Sequence, residues 1–99
     1  MSTKTVRVVA RVTSKPDKID QVRGALMSLV PPTRAEDECV AYELLQNNED
    51  PTDFTFVEEW SSDASLDEHL QTDHFKFAAA KLDGLLDAPP DIRRYTSLI

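Results

Sequence analysis

The sequence has a single cysteine, two glycines, two histidines and no long apolar run. Each shortage excludes something. A lone Cys39 cannot close an internal disulfide, so an oxidising compartment is not implied. Glycine occurs only at Gly24 and Gly84. No glycine-rich loop can therefore bring backbone N–H groups against a phosphate, and flavin, nicotinamide or nucleotide binding through the usual motifs is not expected. No apolar stretch approaches the ~20 residues that span a bilayer, and the leading MSTKTVRV lacks the apolar core of a signal peptide. A cytoplasmic location is the resulting expectation. Basic residues are also short: 11 Lys and Arg against 18 Asp and Glu leave a net charge of -7. That balance disfavours nucleic acid and anionic membranes as partners. His69 and His74 lie across an expected helix break, without the i, i+4 spacing of a helical zinc site, and Cys39 is remote in sequence. No metal site is expected, and no Ser-His-Asp ordering stands out.

What is present is ordinary for a globular protein. Hydrophobic residues make up 40% and charged residues 29% of 99 residues, enough for one domain over 1–99 with a modest core. Thr5 to Thr13 (TVRVVARVT) is rich in β-branched residues and reads as a strand. Val6, Val8, Ala10 and Val12 form its apolar face; Arg7, Val9, Arg11 and Thr13 form the other. Ser14-Lys15-Pro16-Asp17 reads as a helix start, followed by Ile19, Val22, Ala25, Leu26 and Leu29 at helical spacing. Pro31-Pro32 predicts a stop or kink near Leu29. Thr33 to Glu38 is expected to add one more turn, capped by Thr33.

Cys39 to Asn47 is a second strand, with Val40, Tyr42 and Leu44 expected on one face and Cys39, Ala41, Glu43 and Leu45 on the other. Asn48 to Asp53 carries turn chemistry. Phe54 to Trp60 is a third strand, antiparallel to the second, which places Phe54, Phe56, Glu58 and Trp60 together. Ser61-Ser62-Asp63 caps a short helix bearing Leu66, His69 and Leu70 on one face. Asp73-His74-Phe75 opens a longer one, with apolar positions at Phe75, Ala78, Ala79, Leu82, Leu85 and Leu86, and Gly84 near its end. Asp91 to Ile99 is a final strand. The order βαββαβ predicts an α+β, ferredoxin-like domain with an antiparallel sheet and helices on one face. The mixed second sheet face predicts a symmetric homodimer.

The stretch 54–77 gathers the chemistry: a carboxylate (Glu58), an indole (Trp60) and two imidazoles (His69, His74) near one corner. His69 or His74 is the candidate base, since imidazole titrates near neutrality. Glu58 would orient a histidine or hold a proton. Trp60, Tyr42, Phe56 and Phe75 would wall an aromatic guest, and Arg7, Arg11 or Arg94 would steady an anion. The plainer alternative makes Trp60 and Tyr42 core residues, and the histidines helix caps or packing residues.

CVAYELLQN, a proline-containing turn, FVEEW and SLDEHLQTDHF, with PTRAE (Pro32 to Glu36) ahead of them, resemble the antibiotic biosynthesis monooxygenase family over nearly the whole chain. The resemblance implies dimeric α+β barrels of ferredoxin-like protomers. It also implies cofactor-independent oxygenation of quinols or polyphenolic anthrones by O2, in a pocket between sheet and helices. Asp37-Glu38 stands where many relatives carry Pro-Gly. The haem-degrading branch pairs a first-strand asparagine with a tryptophan and a histidine, and Thr5 to Thr13 has no asparagine. The family also holds an isomerase of a phosphorylated signalling molecule, so membership fixes the fold better than the reaction. The expected activity is a cofactor-free monooxygenase for a small quinol or polyphenol. Its rival is a non-catalytic dimeric ligand-binding module of the same fold.

Overall fold

The structure, a computed structural model, describes residues 5–99. The elements run β1 (Val6–Thr13), α1 (Ile19–Arg34), β2 (Cys39–Gln46), β3 (Asp53–Trp60), α2 (Asp63–His69), α3 (Asp73–Leu82) and β4 (Asp91–Tyr95). The sheet order is β2-β3-β1-β4, with every pairing antiparallel. This is the expected ferredoxin-like α+β arrangement. β1 shows why the alternation matters: Val8, Ala10 and Val12 are buried, while Arg7 and Arg11 turn away. Val8, Ala10 and Val12 share one core with Phe54, Phe56 and Trp60 of β3, Val22, Leu26 and Leu29 of α1, Leu66 of α2 and Ala78 and Leu82 of α3. All three helices therefore cover the same sheet face.

The opposite face is mixed. Arg7 pairs with Glu59 at 3.6 Å and Arg11 with Asp53 at 3.2 Å. Between and beside these pairs, Val40, Leu45 and Val57 are exposed.

Several local expectations fail for identifiable reasons. The helix does not stop at Leu29; α1 runs through Pro31 and Pro32 to Arg34. Proline's fixed φ suits a helix, and the lost N–H donors would have served Met27 and Ser28, which are exposed and open to water. Thr33 is accordingly a buried residue inside α1 and caps nothing. Ser14 does not start α1 either. It is buried in an isolated bridge to Leu86, its N–H bonding to the Thr52 carbonyl at 2.8 Å. α1 begins at Ile19 without a side-chain cap. A bulge between Cys39 and Ala41 reverses the facing at the start of β2. Cys39 pairs with Trp60 and leans on the core, whereas Val40 is exposed. β4 ends at Tyr95 and does not reach Ile99.

α2 opens on a capping box, with Ser62 and Ser65 each bonding the other's backbone N–H at 3.1 Å. α3 stops at Leu82, so Leu85 and Leu86 leave the helix. Gly84 follows at φ 79, the left-handed conformation that ends helices and suits glycine. A Cβ there would meet nothing within 4 Å. Gly84→Ala should therefore cost about 1 kcal/mol from backbone conformation alone, seen as a lower urea midpoint. Past this turn the Lys15 N–H bonds to the Leu85 carbonyl at 2.9 Å and the Asp87 N–H to the Thr13 carbonyl at 2.9 Å. Both tie the end of β1 to the connector before β4.

Candidate functional site

β3 supplies the site's floor. Its period of two turns Phe56, Glu58 and Trp60 inward, and all three are buried. Glu58 and Trp60 are adjacent on that face, and Trp60 Nε1–H donates to Glu58 Oε1 at 2.8 Å. Burial pushes the Glu58 carboxyl up to about 7; the Trp60 hydrogen bond opposes this, and the charge of Glu36 adds to it. A carboxyl in this position changes charge near neutral pH.

α2 delivers His69 on its last turn, 2% exposed. The imidazole sits among aromatic rings, with centroids 4.7 Å from Trp60, 5.3 Å from Phe75 and 5.8 Å from Tyr42. Burial lowers its pKa from the usual histidine value, with the hydrogen bond and charge of Glu36 pulling the other way. His69 Nδ1 lies 2.7 Å from Glu36 Oε2, and His74 Nε2 lies 2.8 Å from the same oxygen. Tyr42 is buried beside Phe56, ring centroids 4.9 Å apart. Burial, with the Glu58 charge behind it, raises its hydroxyl pKa and keeps it protonated.

A cavity of about 510 Å³ opens over this floor, between the sheet and the helices. Tyr42, Phe56, Glu58, His69 and Phe75 line it, with aliphatic side chains from β1, α1, α2 and α3. Its far side is formed by the connector from Asp83 to Pro90. The volume is within the range of small-molecule sites, and the wall is mainly apolar with a few polar groups turned in.

Five of the seven residues singled out from the sequence thus meet in one chamber. Trp60 is not in the lining: it is fully buried and reaches the site through Glu58. His74 is also outside the lining, beyond Glu36, and partly exposed. The arginines do not serve the chamber. Arg7 and Arg11 hold their ion pairs on the opposite face, and Arg94 binds Asp63 at 3.1 Å and Asp67 at 2.6 Å on the surface. Glu36 escaped the sequence reading as a site residue. Its one signal was its place at the end of the Pro32 to Glu36 stretch.

Glu36, His69 and His74 also form a group of potential metal ligands, with their donor atoms within 4.8 Å of one another. The two contacts to Glu36 Oε2 have hydrogen-bond lengths. Donor atoms around a divalent ion with ~2.1 Å bonds stand roughly 3 Å or more apart, so a cation would require the side chains to spread. The Cys39 thiol, raised by burial and by nearby Glu36 and Glu58, is a poor ligand and nucleophile.

The family model for antibiotic biosynthesis monooxygenases matches residues 5–81. The chain belongs to that family. Among individual proteins it is similar to Rv0793 of Mycobacterium tuberculosis, 34% identical over 87 residues, covering 88% of this chain and 85% of that protein. The solved structure of Rv0793 superposes with a TM-score of 0.90 at 30% identity, covering 96% of each chain. A crystal structure of an antibiotic biosynthesis monooxygenase is 32% identical, with a TM-score of 0.90 over 95% of this chain and 99% of that one. The uncharacterised sll1783 of Synechocystis is 31% identical over 88 residues, and the match spans 89% of this chain but only 60% of that protein.

Proposed function

We propose that this chain is a cofactor-independent monooxygenase that uses O2 to oxidise a small quinol or polyphenolic substrate, acting as a homodimer. The observation that carries the reading is the apolar chamber with the His69 imidazole and the Glu58 carboxyl in its wall. Such a reaction needs little more from a protein. Tyr42, Phe56 and Phe75 hold the ring. His69 takes a phenolic proton. The electron-rich phenolate passes one electron to O2, and the radical pair closes a C–O bond to give a peroxide anion. His69 returns the proton, and the hydroperoxide loses water to leave a carbonyl. One oxygen atom stays on the ring and the other departs as water, with all four electrons supplied by the substrate. Glu58, protonated below about pH 7, donates a hydrogen bond to a substrate oxygen. Membership of the family and the likeness to a solved antibiotic biosynthesis monooxygenase support the reaction class. Among the described residues, no helix is long and apolar enough to cross a bilayer.

Oxygen uptake with a panel of hydroquinones tests the proposal. His69→Ala should lower the rate by at least about 10²-fold, the usual worth of a positioned general base. Undiminished uptake in that variant would remove His69 as the base. Binding of the quinols without turnover by the wild type would leave a ligand-binding module. The exposed Val40, Leu45 and Val57 support the homodimer, since a second copy would cover them. Light scattering should then give twice the chain mass of 11.1 kDa.

A further inference from the structure

We propose that Glu36 is the positioning residue of this site, one carboxylate oxygen accepting hydrogen bonds from His69 Nδ1–H and His74 Nε2–H and so holding the His69 imidazole with a bare Nε2 available to the chamber. The inference rests on His69 being the base, and it assigns His74 to donation, not to proton abstraction.

The argument starts from the shared oxygen. Glu36 Oε2 lies 2.7 Å from one imidazole nitrogen and 2.8 Å from another. A carboxylate oxygen has no proton to give and can accept two bonds, so each nitrogen facing it must carry the hydrogen. A neutral imidazole has one N–H. His69 must then hold it on Nδ1, and Nε2 keeps its lone pair. Nε2 has no hydrogen-bond partner among the described residues, and the ring lines the chamber. The opposite tautomer, which free imidazole side chains favour in water, would aim an N–H at the guest and could not take its proton. The hydrogen bond made by one ring nitrogen thus decides what the other can do.

Glu36 is itself well held. It follows α1 by two residues, its N–H bonds to the Thr33 carbonyl at 3.0 Å, and its carbonyl accepts from the Cys39 N–H at 3.1 Å. The second bond, from His74 in the first turn of α3, fixes the oxygen from the solvent side. One oxygen therefore joins the end of α1, the end of α2 and the start of α3. The charged and titratable groups around His69 are Glu36 from the loop after α1, His74 from α3, Tyr42 from β2 and Glu58 from β3.

Long-range ¹H–¹⁵N spectra read the tautomer directly, and with two histidines in the chain the assignment is simple. The wild type near pH 8 should show His69 protonated on Nδ1 and bare on Nε2. A His69 protonated on Nε2 would overturn the proposal, whatever the assay gives. Glu36→Gln keeps the shape and removes the charge. It should lower kcat for quinol oxidation by roughly 10²-fold with little change in KM. The acid limb of kcat/KM should also move to lower pH, because the carboxylate no longer supports the imidazolium. A purely structural role would leave that limb in place, and an unchanged kcat and limb in a folded Glu36→Gln protein would overturn the proposal. The two readings fail separately: full activity of His69→Ala would remove the base while leaving the tautomer as it stands.

Discussion

Trp60→Ala should lower the unfolding temperature by more than about 10 °C. Trp60 has no exposed surface and stands among Tyr42, His69 and Glu58, where β3 meets α2. Truncating a buried tryptophan to alanine costs about 3–5 kcal/mol through lost burial and the cavity left behind. For a domain of this size each kcal/mol shifts the midpoint by roughly 4–8 °C. A second loss accompanies the first, because Glu58 Oε1 would lose the indole donor that partners it in the interior. Trp60→Phe separates the two. It keeps most of the bulk but offers no N–H, so it should destabilise less while raising the Glu58 titration further above about 7. Calorimetry measures the first effect, and infrared titration of the buried carboxyl measures the second. A Trp60→Ala midpoint within a few degrees of wild type would mean that this corner is not the tightly packed floor described above.

Glu58→Gln should make the protein more stable than wild type above pH 7. In the unfolded chain Glu58 titrates at its ordinary value of 4.5; in the folded protein burial raises it to about 7. Between those values the native state keeps a proton that the unfolded state has released. Native stability therefore falls as pH rises through that window, and the full penalty applies above it. The displacement corresponds to on the order of 3 kcal/mol. Glutamine still accepts the indole N–H and never ionises, so the variant should lack this fall. Urea midpoints of both proteins at pH 5 and pH 8 decide the matter. Equal pH dependence in the two would show that Glu58 is not the buried acid. In turnover, the same substitution should remove the dependence of quinol oxidation on a group titrating near 7.

The architecture was readable because alternation and helical spacing are strong over long elements. Val8, Ala10 and Val12, and Val22, Leu26 and Leu29, announce their buried faces by position alone. Errors fell where a local rule met a specific neighbour. Pro31 and Pro32 carry a stop signal, but their ring geometry suits a helix and the carbonyls they deprive are at an exposed surface. The reversal at Cys39 and Val40 comes from one bulged residue, which has no signature in composition. The arginines looked useful by charge, yet partners contributed by other elements determine where they point. The chamber could be anticipated from Phe56 and Glu58 on one strand face and His69 on the following helix. Glu36 could not, because its meeting with His69 and His74 depends on how two separate helix ends approach the loop after α1.

The placement of β1 has a further consequence. It lies inside the sheet, with Val6 against Trp60 on one side and Arg7 against Tyr95 on the other. One neighbour, β3 (Asp53–Trp60), lies mid-sequence, and the other, β4 (Asp91–Tyr95), comes much later. During synthesis β1 must wait for distant partners, one edge until β3 has emerged and the other until β4 has. Contacts of such long sequence separation slow folding. The Val-rich segment therefore needs shielding from association with other chains until both edges are paired.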